Sequence, residues 1–209
     1  MRMPSRFYAM IDPAAGHEPI ALARIFVGAG ARILQLRLKD TGAREFLTAA
    51  RTINQICRAA DAILIVNDRV DIAILSEAHG VHVGQTDLPL DAVRRMMGRD
   101  RIIGVSTRTV DQAVAAEAGG ADYIGFGAIY SGGLKNVKNA QGLEGLAEVR
   151  RAVRIPIVAI GGITEATMPA VIASGADAAA IITDVVRAPD IGAKVAALLA
   201  QDTLASANR

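Results

Sequence analysis

Apolar and polar positions along this chain switch repeatedly between two periods. Short β-prone runs occur at residues 6–11, 32–36, 62–66, 80–83, 102–105, 123–126, 157–160 and 179–182. Between and after them lie longer stretches, 18–29, 44–60, 70–78, 90–97, 110–118, 143–153, 166–173 and 191–199, whose apolar residues recur at intervals of three and four, the spacing of one helix face. A strand followed by a helix, over and over, predicts parallel strands joined by helical crossovers. Gly-Ala doublets at 30–31, 120–121 and 175–176 follow predicted helices, where glycine can take the left-handed conformation that ends a helix before the next strand. Eight such units in 209 residues match the strand count and lower size limit of a (β/α)8 barrel, whereas a doubly wound sheet usually has fewer strands. The expected fold is therefore α/β, a single-domain (β/α)8 TIM barrel over residues 1–209, with a C-terminal helix and mobile tail from about residue 190.

One predicted strand breaks the rule by which such a fold hides its sheet. In Leu34-Gln35-Leu36-Arg37-Leu38-Lys39-Asp40, an extended backbone puts Gln35, Arg37 and Lys39 on one face and the three leucines on the other. A row of two cations and an amide needs a polar partner. A multiply charged phosphate suits it, because arginine offers a planar fork of donors and lysine a compact point charge. The competing reading is an amphipathic edge strand with a solvated face.

Barrel geometry then gives a rule for finding chemistry, since active residues lie at the C-terminal ends of strands or in the loops after them. Asp12, Lys39, Asn67-Asp68, Gln85 with Asp87, Ser106, Lys135, Gly161-Gly162 and Thr183 all fall there. Asp68 and Asp87 each follow an apolar strand, beside the cationic row. Carboxylates next to a phosphate are what Mg²⁺ uses, with phosphate oxygens and water completing its shell. The plainer roles are a helix cap for Asp68 and a turn for Asp87. Gly161-Gly162-Ile163-Thr164 and Ile182-Thr183 follow the seventh and eighth strands, where such barrels commonly hold a phosphate on backbone N–H groups. That suggests a second phosphate site; the alternative is a tight turn capped by Thr164.

Ser106 is placed to hydrogen-bond a heterocycle; as a nucleophile it would need a neighbouring base, and none stands near it in the chain. Thr109 reads as a helix cap, and His82, in mid-strand, as a structural histidine. The loop 131–142, with Gly132, Gly133, Lys135, Lys138 and Gly142, reads either as solvated or as a lid delivering Lys135 to a leaving group.

Composition narrows the partners. Hydrophobic residues make up 52% of the chain but aromatics only 3%, so the core must be Ala, Val, Ile and Leu, as in strands covered on both faces. Lys+Arg 23 against Asp+Glu 21 leaves +2 and no basic tract, so no nucleic-acid partner is expected. No apolar run is long enough to span a bilayer, and a lone Cys57 fits a reducing compartment. A cytoplasmic protein acting on small molecules, not on membranes, is expected, with a homo-oligomer left open.

Taken in order, Gln35-x-Arg37-x-Lys39, Val66-Asn67-Asp68, Val81-His82-Val83-Gly84-Gln85-x-Asp87, Gly104-Val105-Ser106-Thr107, Gly125-x-Gly127-x-Ile129-Tyr130 and Ala159-Ile160-Gly161-Gly162-Ile163 resemble the thiamine-phosphate synthase and thiazole tautomerase family, from Tyr8 to about Val186. The resemblance implies a TIM-barrel transferase that joins 4-amino-2-methyl-5-hydroxymethylpyrimidine diphosphate to a thiazole phosphate and releases diphosphate. It implies that Gln35, Arg37, Lys39, Asn67 and Lys135 hold the diphosphate and that Asp68 and Asp87 bind Mg²⁺. Ser106 would meet the aminopyrimidine, while Gly162, Ile182 and Thr183 would hold the thiazole phosphate, with Lys135, Ser106 and Arg37 as the catalytic set. The chain departs from the family pattern at Ser131-Gly132-Gly133-Leu134, where Pro-Thr-x-Thr is usual, at Arg108 for His and at Thr183 for Ser. Competing readings are a tautomerase-like paralogue, a non-catalytic thiamine-phosphate binder, and a sugar-phosphate isomerase or decarboxylase.

Overall fold

The computed structural model describes residues 1–131 and 140–207. Among them, eight parallel strands close into a barrel in chain order: β1 (Phe7–Ile11), β2 (Ile33–Leu36), β3 (Ile63–Asn67), β4 (Gly80–Val83), β5 (Ile102–Thr107), β6 (Tyr123–Gly127), β7 (Ile157–Ile160) and β8 (Ala178–Ala180). The helices between and after them are α1 (Pro19–Gly28), α2 (Ala43–Ala59), α3 (Val70–Leu75), α4 (Leu90–Met97), α5 (Val110–Ala118), α6 (Gly142–Ala152), α7 (Met168–Ala173), α8 (Thr183–Val186) and α9 (Ile191–Ala207). The alternation read from the sequence is thus the architecture.

Strand periodicity sorts side chains into two cores. Phe7, Ala9 and Ile11 of β1 pack outward with Leu34, Leu36, Leu64, Val66 and the apolar faces of the helices. Tyr8, Met10, Ile33, Ile65, Tyr123, Val158, Ala178 and Ala180 fill the barrel interior. Two interior rings, Tyr8 and Tyr123, are far larger than the branched aliphatics usual in such barrels. Space for them comes from Gly104, where a Cβ would run into the Tyr123 ring and the His82 imidazole.

The αβ turns repeat a device as well as a fold. Gly30, Gly120 and Gly175 have φ of 102°, 85° and 110°, the left-handed turn read from the Gly-Ala doublets. After the last two, Asp122 and Asp177 accept from the N–H of Ile103 and Ile157 at 2.8 Å each and pair with Arg94 and Arg150.

Some boundaries differ from the pattern. Helix α3 stops at Leu75 instead of residue 78 because Ser76 Oγ donates back to Ile72 O at 2.6 Å and Glu77 turns to φ 55°. Helix α7 begins only at Met168, since a proline belongs in its first turn. The eighth strand ends at Ala180, not residue 182, and Thr183 opens the short helix α8. Helix α9 runs past residue 199 to Ala207; the last two residues of the expected tail, 208–209, lie outside the described ones.

Candidate active site at the C-terminal mouth of the barrel

The first three strand ends bring the charged groups together. The Arg37 N–H donates to Ile11 O at 2.9 Å, carrying the β1–β2 ladder one residue past β2. Its guanidinium meets Asp12 at 2.5 Å, and Asp12 is itself held by the Ala14 N–H at 3.0 Å. Lys39, by contrast, sits in a turn beyond the strand, so the expected three-residue row on one strand face is corrected: extended pairing covers Gln35 and Arg37 only. Lys39 reaches the same mouth from the turn and lies 3.3 Å from Asp68. Each cation therefore already faces a carboxylate, which fixes its position but lowers the net positive charge.

Asp68 does not cap α3. The cap position is Arg69, without a side-chain bond, and Asp68 holds φ 63°, a conformation that is uncommon outside glycine and that Asp tolerates better than most. Its N–H donates to His82 O at 2.8 Å, tying β3 to β4. Burial, then the charge of Asp87, push the Asp68 carboxyl above its ordinary range, with Lys39 opposing. Asp87 does make the expected turn, accepting from the Gly84 N–H at 2.7 Å through Oδ2. Two neighbouring carboxylates, next to two cations, suit a divalent ion that takes one or two protein ligands and the rest from phosphate and water. Among the described residues no cluster of three or more His, Cys, Asp or Glu could hold a metal by itself, so a site here would be of that substrate-completed kind.

Below these charges a polar chain crosses the barrel. Gln35 Nε2 donates to Tyr8 OH at 3.0 Å, Tyr8 OH meets Tyr123 OH at 2.8 Å, Tyr123 OH meets His82 Nδ1 at 2.9 Å, and His82 Nε2 meets Ser106 Oγ at 2.9 Å. Both phenols are pushed above their ordinary range by burial, while burial pulls His82 down to about 4. Ser106 thus has the histidine neighbour that linear spacing failed to show. Gly104 and Gly125 were the readable signal, since a Cβ at either would press on His82. Gln85 Nε2 adds a bond to Ser106 O at 2.7 Å. Thr109 caps α5 as expected, accepting from Gln112 N at 3.2 Å.

The opposite half of the mouth combines tight backbone turns with the charged side chains Asp184, Arg187, Asp190 and Lys194. Gly161 and Gly162 have φ of 101° and 65°, packed so tightly that a Cβ on Gly161 would enter Ala128 and one on Gly162 would come within 2.8 Å of Tyr130 Cβ. Ile182 and Thr183 stand where β8 passes into α8. Thr164 and Thr167 bond each other ahead of α7, and Lys194 of α9 braces the rim through Glu165 at 2.7 Å and Asp184 at 3.0 Å.

One pocket of about 1470 Å³ is lined by Gln35, Arg37, Lys39, Asn67, Asp68, Gln85, Asp87, Ser106, Gly161, Gly162, Ile182 and Thr183, and by Arg108. Lys135, expected to act on a leaving group, lies outside the described residues. No helix among the described residues is long and apolar enough to cross a membrane.

A closed (β/α)8 barrel with a large pocket at the C-terminal mouth, part apolar and part charged, is the layout of a barrel enzyme acting on a small molecule. The family model described as thiamine monophosphate synthase matches residues 7–185. The thiamine-phosphate synthase of Moorella thermoacetica is 45% identical over 179 residues, covering 85% of each chain. That of Caldivirga maquilingensis is 42% identical over 191 residues, covering 91% of this chain and 93% of its own. Among solved structures, thiamine phosphate pyrophosphorylase from Pyrococcus furiosus superposes with a TM-score of 0.85 at 33% identity, covering 92% of this chain and 93% of that one. The chain belongs to the thiamine monophosphate synthase family.

Proposed function

We propose that this enzyme condenses 4-amino-2-methyl-5-hydroxymethylpyrimidine diphosphate with a thiazole phosphate, giving thiamine phosphate and diphosphate in the cytoplasm. The observation that carries the reading is that one pocket joins the Arg37, Lys39, Asp68 and Asp87 cluster to the Gly161-Gly162 and Ile182-Thr183 turns, with Ser106 also on its wall. Two phosphorylated substrates with a heterocycle between them use such a pocket fully. A sugar-phosphate isomerase would leave the charged half without a purpose, and a tautomerase would leave Asp68 and Asp87 without one.

In the reaction the methylene–oxygen bond to the diphosphate breaks, and the thiazole nitrogen forms the new bond to that methylene. Arg37 and Lys39, with Gln35 and Asn67, hold the diphosphate and stabilise the charge it gains on leaving. Asp68 and Asp87 would hold Mg²⁺, which supplies further charge neutralisation at the leaving group. Ser106 meets the aminopyrimidine, and Gly161, Gly162, Ile182 and Thr183 seat the thiazole phosphate so that its nitrogen lies at attacking distance. Lys135 is assigned to the departing diphosphate. No general base is needed, and His82, pulled down to about 4 by burial, would be a poor one.

The test is direct. Purified protein given both substrates and Mg²⁺ should form thiamine phosphate and diphosphate in equal amounts, and chelation should stop it. Binding of both substrates without product would end the synthase reading in favour of a non-catalytic binder.

A further inference from the structure

We infer that His82 is a positioning residue whose hydrogen-bond chain fixes the direction in which Ser106 presents its proton to the ligand. The claim rests on the synthase reading for the identity of that ligand, but its geometry is independent of it. The chain has one end of fixed polarity, because the Gln35 Nε2 group can only donate, and it donates to Tyr8 OH. Tyr8 is fully buried and keeps its proton. The acceptor within reach of that proton is the Tyr123 oxygen at 2.8 Å. Leaving a buried hydroxyl proton unpaired costs about 1–3 kcal/mol, so Tyr8 donates onward. Tyr123, equally buried, then sends its own proton to His82 Nδ1.

A ring nitrogen that accepts carries no proton, so His82 holds a single ring proton. With Nδ1 accepting, that proton sits on Nε2 and is donated to Ser106 Oγ at 2.9 Å. Ser106 consequently cannot pass its own proton to His82, and its O–H turns toward the pocket it lines. The arrangement excludes a serine nucleophile activated by this histidine, despite the short contact. It makes Ser106 a donor of fixed direction, suited to an acceptor nitrogen of a heterocycle. Gly104 and Gly125 keep the imidazole in place, since a Cβ at Gly104 would crowd Nδ1 at 2.5 Å and one at Gly125 would lie 3.0 Å from Cε1.

Two measurements test this. In the free protein, ring ¹⁵N chemical shifts should place the His82 proton on Nε2 at neutral pH; a proton on Nδ1 overturns the inference. In binding, His82→Phe and Ser106→Ala should each weaken the pyrimidine diphosphate about tenfold, leave the thiazole phosphate within about twofold, and combine to no more than Ser106→Ala alone. Additive losses, or equal losses for both substrates, would show that His82 does not act through Ser106. If His82→Phe does not fold, Tyr123→Phe serves instead: it removes the donor to Nδ1, and an unchanged tautomer and affinity would overturn the proposal. A wild-type protein that binds no pyrimidine diphosphate sinks the synthase reading, and the tautomer alone then decides the relay.

Discussion

On the proposed reading the two halves of the pocket each hold a phosphate, and they are built differently. Around β2, β3 and β4 the means are side chains: Arg37 and Lys39 are each set by a carboxylate at 2.5 Å and 3.3 Å. Around β7 and β8 the distinctive feature is main chain, shaped by Gly161 and Gly162 at positive φ and by the turn into α8, with Arg187 and Lys194 nearby on the pocket wall. Side-chain charge can be tuned by substitution one residue at a time, and it suits a leaving group whose charge grows during reaction. A backbone cradle is set by packing and suits a group that only has to be held.

The contrast is most exposed to failure at Asp87. On the charged half, Asp87→Asn should cut turnover by about 10²–10³-fold, the scale of losing one electrostatic stabiliser, while the melting temperature stays within a few degrees. Added Mg²⁺ should restore part of the rate if the remaining Asp68 still holds the ion. Unchanged turnover at limiting Mg²⁺ would remove the metal from this half altogether. Next in size, Arg37→Ala should weaken the pyrimidine diphosphate about 10–100-fold, as expected for a charged hydrogen-bonding group. Calorimetric titration should find the thiazole phosphate nearly unaffected; equal losses would mean the halves are not separate sites.

The same contrast explains what could be read from the chain and what could not. Eight βα units, the αβ turns and the rim positions follow from periodicity and glycine placement, because neighbouring residues dictate them. That Gln35, Arg37, Asp68 and Asp87 gather at one pocket was legible because Gln35 and Arg37 share an inward face and the two carboxylates stand just past apolar strands. The pairing of Arg37 with Asp12 was not, since it depends on β1 and β2 lying in register, Ile11 beside Leu36. His82 reached Ser106 for a similar reason: the β4–β5 register sets His82 beside Gly104, two residues before Ser106 on the same inward face. Spacing along one strand carries no trace of that cross-strand contact. Lys39 was misplaced because its polar alternation continues into a turn, where a period of two no longer means one face.

On the backbone half the expected effects are smaller and show first in stability. Gly162→Ala must adopt φ 65° with its Cβ 2.8 Å from Tyr130 Cβ and 3.0 Å from Tyr130 O. The left-handed conformation alone costs about 1–2 kcal/mol, so a fall of several degrees in melting temperature is expected. Thiazole phosphate binding should weaken with it and pyrimidine diphosphate binding should not. The reverse pattern would exchange the two half-sites.

Smallest of all is the rim brace that Lys194 forms with Glu165 and Asp184. Lys194→Met should cost less than about 1 kcal/mol, because the groups are partly exposed and salt screens them. Its pH dependence identifies it. Although burial opposes ionisation, the Glu165 N–H and Lys194 hold the Asp184 carboxyl below its ordinary 3.8, while Lys194 is raised above 10.5, chiefly by Glu165. A carboxyl held low stabilises above its unfolded value and loses that contribution as pH falls through its folded one; a lysine held high loses its share as pH rises through its folded value. The stability difference between wild type and Lys194→Met should therefore be flat from about pH 5 to 9 and vanish on acidification below 3.8. Denaturant titration across that range measures it, and a difference that persisted in acid would assign Lys194 to packing through its aliphatic stem instead of to charge.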